Sequence, residues 1–71
     1  MDVIIGQTLV NHIYRHEAKV AEIIDVAPFT VLVLAENGKR STIQFDSEEL
    51  EILKQGRRVF GWRIKEAQRG T

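Results

Sequence analysis

The sequence predicts a mostly β protein, a small antiparallel barrel of about five strands with one short helical segment near residues 47–55. Three observations support this fold class. The chain has 71 residues, which leaves room for one domain only. Two strand-like runs flank an Asn-Gly pair within residues 29–45. The first run is apolar on both faces, and a sheet that curls over itself is the simplest way to cover both faces in so short a chain.

Residues 29–45 predict a β-hairpin. Residues 29–35 are rich in β-branched and aromatic side chains, and residues 40–45 alternate between two faces. Between these runs, Asn37-Gly38 favours the positive φ values of a type I′ turn. The twist of that turn joins two antiparallel strands, and the first of them, which is apolar on both faces, is expected to be a central strand that needs cover on both sides.

The N-terminal part of the chain predicts two further strands. Residues 7–14 alternate between two faces and form the first of them. Arg15-His16-Glu17 is a polar interruption that predicts a turn, and residues 18–26 form the second strand. Pro28 cannot donate a backbone hydrogen bond, so it marks the end of this strand.

The second strand is expected to be irregular. Val20 and Ile23 are separated by an odd number of residues and cannot share one face of a regular strand. A β-bulge near Ala21-Glu22 would bring both to the core. A helix over residues 17–26 is the alternative, because alanine and glutamate favour helix and the apolar spacing also fits one.

The segment after the hairpin predicts a helix of up to nine residues. Asp46 and Glu49 have the spacing of a capping box, and Gly56 suits the C-cap. A single helical turn followed by a short strand over residues 51–53 is the alternative. The predicted core consists of Val10, Val20, Ile23, Val31, Val33, Ile43, Phe45 and Leu50.

Charge is unevenly distributed along the chain, although the net charge is zero. Residues 1–53 contain four Lys/Arg and nine Asp/Glu, whereas residues 54–71 contain six Lys/Arg and one Glu. This asymmetry predicts either neutralisation of the acidic body by the basic end or a partner-binding surface.

Residues 57–71 predict a basic–aromatic strand or arm that belongs to the same single domain as the barrel of residues 1–56. Residues 57–65 alternate, with Phe60, Trp62 and Ile64 on one face. Cations contact phosphates and aromatic rings stack on bases, but Trp and Arg also anchor protein interfaces. The alternative is a closing strand whose aromatic face completes the core. The predicted partner-binding residues are Arg57, Arg58, Phe60, Trp62, Arg63 and Lys65.

The residue patterns argue against catalysis, cofactors and metals. The chain has no cysteine, and its glycines form no phosphate-binding loop. His12, His16 and Glu17 lack the order of a zinc-binding helix, and the acidic residues after 46 are typical of a helix N-terminus. We therefore expect a protein that is not an enzyme and that binds neither metal nor cofactor.

The same patterns suggest a cytoplasmic protein without a membrane partner. No apolar run approaches the ~20 residues of a membrane span. The N-terminus lacks the basic region of a signal peptide, and the absence of cysteine is compatible with a reducing compartment.

Several of these residues together resemble a family of small SH3-like or Tudor-like barrels in bacterial transcription and repair proteins. That family includes the C-terminal domain of UvrD/PcrA-type helicases and the RNA-polymerase-interaction domain of CarD-like factors. The resemblance covers residues 6–53. The matching positions are Gly6, Leu9 or Val10, His12, Val20, Ile23, Asn37-Gly38-Lys39, and Leu50 or Leu53. Residues 14–18 depart from it, because the family carries glycines in this turn.

Two functions follow as hypotheses. The resemblance implies a non-catalytic protein-interaction module that acts on the transcription or repair machinery, with RNA polymerase as a candidate partner. The basic–aromatic C-terminal segment instead suggests a nucleic-acid-binding domain. The zero net charge favours the protein partner, because the acidic residues after 46 would repel a phosphate backbone that passed close to the barrel.

Overall fold

The computed structural model describes residues 2–65 and contains one antiparallel five-stranded sheet that curls into a half-barrel. The strand order is β4-β3-β2-β1-β5, so β4 and β5 are the edges. The predicted fold class, mostly β with five antiparallel strands and one short helix, is confirmed. The elements are β1 (Thr8–Asn11), β2 (His16–Val26), β3 (Phe29–Ala35), β4 (Arg40–Phe45), α1 (Ser47–Lys54) and β5 (Trp62–Ile64).

The hairpin β3–β4 is confirmed, with β3 inside the sheet between β2 and β4 and with β4 at the edge, but its turn differs from the expected type I′. The Gly38 amide donates to the Ala35 carbonyl and the Ala35 amide donates to the Lys39 carbonyl, both at 2.9 Å. Gly38 has φ +84°, whereas Asn37 does not have a positive φ. The loop is therefore a three-residue turn that ends in a left-handed glycine. The Asn37 side chain accepts a hydrogen bond from the Lys39 amide at 2.9 Å, which favours this turn over type I′.

The irregularity predicted in β2 is confirmed. The pairing with β3 shifts register between Val20 and Glu22, which leaves Ala21 as the extra residue of a β-bulge. A second shift lies between Ile23 and Asp25. The helix considered for residues 17–26 does not form, because both halves of this segment pair with β3.

The β1–β2 connection lies earlier in the chain than expected. β1 ends at Asn11 rather than at residue 14, and β2 already begins at His16. The reason is local turn chemistry, since the Asn11 side-chain oxygen accepts hydrogen bonds from the amides of Ile13 and Tyr14, each at 2.9 Å. Arg15 completes the turn with φ +58°.

Helix α1 forms as predicted, with both parts of the capping box. The Asp46 carboxylate accepts from the Glu49 amide at 2.7 Å, and the Glu49 carboxylate accepts from the Asp46 amide at 2.9 Å. Gln55 is the C-cap, and Gly56 follows it with φ +84°. The Arg57 and Gly56 amides donate back into the last turn, which ends the helix in a Schellman motif. The alternative of a short strand at residues 51–53 is wrong.

The core lies between the concave face of the sheet and α1, which contacts both β4 and β5. Four predicted core residues, Val20, Val31, Val33 and Phe45, are buried, and Ile43 and Leu50 are half-buried and pack against them. The other buried apolar side chains of residues 2–65 are Val3, Leu9, Ala18, Leu53, Val59 and Ile64.

Two core predictions are wrong. Leu9, rather than Val10, points into the core, because Leu9 pairs with Ala18 and Ile64 on the concave face. Ile23 faces Val31 on that same side but is 37% exposed. It lies in the part of β2 beyond the reach of β1, which pairs only with residues 16–19, so one flank of Ile23 has no neighbouring strand.

The outer face of β3 is less covered than the sequence suggested. Leu32 is half-buried and Leu34 is 40% exposed, because the sheet curls only half-way round. Among residues 2–65, no helix has the length and apolar character needed to cross a membrane.

Candidate functional site

The predicted C-terminal strand is interrupted by a tight turn at Phe60-Gly61. Val59 and Trp62 exchange two backbone hydrogen bonds of 2.8 Å each. Phe60 has φ +53° and Gly61 has φ +82°, which is the conformation of a type I′ hairpin turn. The continuous strand expected over residues 57–65 is therefore wrong. Residues 57–64 form a small C-terminal hairpin, and its second arm, β5, pairs with β1.

This turn separates the three residues that were expected to share a face. Ile64 is fully buried, and Trp62 is half-buried and packs against the core. Phe60 is 60% exposed, although its ring stacks on that of Phe45 with centroids 6.4 Å apart. Phe60 is therefore a surface residue, whereas Trp62 has a structural role and a partly exposed side chain.

A hydrogen bond and close packing hold the C-terminal hairpin against the β1–β2 turn. The His12 amide donates to the Gly61 carbonyl at 2.8 Å. The Ile13 side chain lies so close to Gly61 that a Cβ atom there would be 2.8 Å from its Cδ1. The buried Asn11 side chain stabilises the turn, because its oxygen accepts hydrogen bonds from the Ile13 and Tyr14 amides. The two segments, far apart in sequence, thus form one surface.

Aromatic contacts continue across this junction. The His16 ring meets the Trp62 ring edge-on with centroids 5.4 Å apart, and the Tyr14 ring lies 6.4 Å from that of His16. Ile13 and Tyr14 are 64% and 74% exposed, respectively. We call the combined region the turn–hairpin surface. It comprises Ile13, Tyr14, Arg15, His16, Arg58, Phe60, Trp62 and Arg63.

A cleft of about 460 Å³ opens beside the β1–β2 turn. Its charged and titratable lining residues are His12, Arg15, His16, Glu17 and Arg58. The pKa of His12 is lowered from its usual value, first by burial and then by the positive charges of Arg58 and Arg63. The two arginines therefore lie close enough to His12 for their positive charge to disfavour the protonated form of its ring.

The structure places some of the predicted site residues at the cleft and others away from it. Arg58 lines the cleft, whereas Arg63, in β5, is half-buried and acts on His12 through its charge. Lys65 is occupied by Glu17, with its Nζ atom 3.0 Å from Glu17 Oε2. Arg57 is exposed but does not line the cleft. Residues 66–71 of the predicted arm lie outside the described residues.

Sequence reasoning missed the half of the surface contributed by the β1–β2 turn. Tyr14, Arg15 and His16 were assigned to a departure from the family pattern and to a polar interruption. The available signal was compositional, an aromatic residue beside two basic ones in a turn. It becomes meaningful only once β1 is known to pair with β5.

Within residues 2–65, no group of three or more His, Cys, Asp or Glu side chains lies close enough to hold a metal ion. No family model, curated protein or solved structure matches this chain. The function proposed for it therefore rests on the turn–hairpin surface itself.

Proposed function

We propose that this protein is a non-catalytic interaction module that binds a protein partner through the turn–hairpin surface. The observation that carries the proposal is the exposure of three large apolar side chains beside arginines. Ile13, Tyr14 and Phe60 are each at least 60% exposed on two segments that hydrogen bonding holds together. Aromatic and arginine side chains are the residues enriched in the energetically important centres of protein interfaces.

The partner class comes from the family resemblance. SH3-like or Tudor-like barrels of the UvrD/PcrA and CarD-like type imply a small cytoplasmic regulator that binds the transcription or repair machinery. RNA polymerase is the candidate partner to test first. The half-barrel with one short helix is compatible with this proposal.

The experiment is a capture of partners from lysate by the immobilised chain, with and without nuclease. Three forms are compared: the unmodified chain, Tyr14→Ala and Val26→Ala. Tyr14 and Val26 are similarly exposed, at 74% and 76%, but they lie near opposite ends of β2. Neither side chain is part of the core, so both variants should fold, and Val26→Ala controls for the loss of an exposed apolar side chain.

We expect one protein partner that survives nuclease and is kept by Val26→Ala. Its affinity should fall by about 2 kcal/mol or more in Tyr14→Ala if Tyr14 is an anchor of the interface. Equal capture by both variants would remove the turn–hairpin surface from the interface. RNA polymerase among the proteins lost with Tyr14→Ala would identify the partner.

Nucleic-acid binding is the second candidate, and the convergence of Arg58 and Arg63 on His12 is the observation that favours it. Positive charge focused on one cleft attracts phosphate. The same capture separates the two functions, because a partner bridged by nucleic acid disappears after nuclease treatment.

A further inference from the structure

We propose that the cleft beside the β1–β2 turn is an anion subsite that receives a carboxylate or phosphate group carried by the protein partner. This inference rests on the proposed function and specifies the chemistry of the partner. It predicts that the partner inserts a carboxylate or phosphate group next to the apolar contacts made by Ile13 and Tyr14, which lie between cleft-lining His12 and Arg15 in the chain.

The first argument is unmet hydrogen-bonding capacity at the cleft. Within residues 2–65, His12 Nε2 and Arg63 Nε are both shielded from solvent and have no hydrogen-bond partner. Shielded polar atoms without partners are uncommon in folded proteins, because each loses its hydrogen bonds to water. Of these two residues His12 lines the cleft, and an oxyanion accepts a hydrogen bond from a protonated histidine, so a bound anion offers His12 the partner that the free protein lacks.

The second argument is charge that nothing in the cleft neutralises. Arg15, His16 and Arg58 line the cleft, and Arg63 also acts on His12. The carboxylate among the lining residues is that of Glu17, and Lys65 engages it at 3.0 Å. Within residues 2–65, Arg15 and Arg58 form no ion pair, so they face the cleft as uncompensated cations, and a cleft of about 460 Å³ has room for one carboxylate or phosphate group.

The third argument concerns protons. The pKa of His12 is lowered in the free protein by burial and by Arg58 and Arg63. A bound anion opposes the effect of the two arginines, since it places negative charge beside the ring and so raises the pKa of His12. Binding is then accompanied by proton uptake at His12, so it should tighten as the pH falls from the pKa of His12 in the bound protein towards its lower pKa in the free protein. His16, whose ring contacts Trp62, and Arg15 face the same cleft from β2 and the turn.

The surroundings favour a protein as the carrier of the anion. Ile13 and Tyr14, both exposed, lie in the chain between the cleft-lining residues His12 and Arg15, and exposed apolar side chains suit the non-polar part of a protein interface. Arg15 and Arg58 line this one cleft in a chain of zero net charge. A nucleic acid that bound tightly would need several phosphate contacts along its backbone.

The test is an NMR titration of the whole chain with inorganic phosphate, with sodium chloride at matched ionic strength as the control for screening. The His12 ring resonances are followed against pH at each phosphate concentration. We expect phosphate to bind saturably and to raise the pKa of His12 by about one unit, as an opposite charge at close range does. A second arm repeats the titration with a glutamate-rich peptide and with a short single-stranded RNA.

Arg58→Gln and Arg57→Gln are the matched variants, because each removes one exposed arginine from adjacent positions and only Arg58 lines the cleft. Arg58→Gln should weaken phosphate binding by roughly tenfold or more, as expected for the loss of a charge-assisted hydrogen bond. It should also raise the pKa of His12 in the free protein, whereas Arg57→Gln should leave both quantities unchanged.

Each failure has its own meaning. Phosphate effects that match those of sodium chloride, or equal losses in the two variants, would overturn the anion subsite. Tighter binding of the RNA than of the acidic peptide would overturn the assignment to a protein-borne anion. The proposed function fails separately, through equal capture of the partner by Tyr14→Ala and Val26→Ala.

Discussion

Gly61→Ala should destabilise the fold at the point where the C-terminal hairpin meets the β1–β2 turn. Gly61 has φ +82°, and a non-glycine residue in this region costs roughly 1–2 kcal/mol. The new Cβ would also lie 2.8 Å from Ile13 Cδ1 and 3.1 Å from Asn11 Oδ1. Ile13 is exposed and can move, but two hydrogen bonds hold Asn11 in place, so the crowding adds about 1 kcal/mol.

The total loss is then roughly 2–3 kcal/mol, a large share of the roughly 4–10 kcal/mol expected for a domain of this size. Gly38→Ala is the matched control. Gly38 has φ +84°, but a Cβ there would have nothing within 4 Å. The two variants share the backbone strain and the change in unfolded-chain entropy, so their difference isolates the crowding.

The assay is equilibrium urea unfolding followed by Trp62 fluorescence, with the free energy of unfolding compared between the two variants. Gly61→Ala should be less stable than Gly38→Ala by about 1 kcal/mol. Equal stability, or a greater loss in Gly38→Ala, would refute the packing of the turn against the hairpin.

Three further outcomes are expected. Asp46→Ala removes the capping box and should lower the free energy of unfolding by about 1 kcal/mol, as measured by thermal unfolding. Glu48→Ala, in the same first turn, should cost less, because the Glu48 carboxylate interacts only with the helix dipole. Equal losses in the two variants would contradict the cap. The free energy of unfolding should rise with pH between the lowered pKa of folded His12 and its unfolded value of 6.5, because the unfolded chain binds the extra proton in that window. His12→Gln should flatten this part of the pH profile, and an unchanged profile would contradict the assignment to His12. Amide exchange should be slowest within residues 31–34 and 43–45, where β3 pairs with β2 and with β4, and fast exchange there or helical chemical shifts over residues 20–34 would contradict the sheet.

The features predictable from the sequence were those with local causes. Asp46 and Glu49 meet within one helical turn, so their spacing alone indicated the capping box. The odd separation of Val20 and Ile23 required an extra residue in β2, and the bulge lies at Ala21. The β-branched composition of residues 29–35 predicted strand β3.

The features that escaped prediction depend on contacts between distant segments. Alternation in β1 defines two faces, but only the pairing of Leu9 with Ile64 decides that Leu9 rather than Val10 enters the core. Phenylalanine is unfavourable at positive φ, so the pair Phe60-Gly61 indicated a type I′ turn less clearly than the pair Asn37-Gly38 did. The turn nevertheless occurs at Phe60-Gly61 and not at Asn37-Gly38. Tertiary packing decides both turns.

The candidate site was half predictable for the same reason. The density of arginines around Trp62 marked the C-terminal hairpin from composition alone. The contribution of Tyr14 and His16 depends on the antiparallel pairing of β1 with both β2 and β5, which brings residues nearly fifty positions apart into contact.

The most direct test of the central claim, that the turn–hairpin surface binds protein rather than nucleic acid, is a titration of the purified chain with short DNA and RNA at physiological salt. Trp62 fluorescence is the probe, because its half-buried ring contacts His16 at this surface. We expect no saturable binding in the micromolar range. Micromolar or tighter binding that weakens with salt, with a log–log slope of roughly −0.7 to −0.9 per phosphate contacted, would contradict the claim.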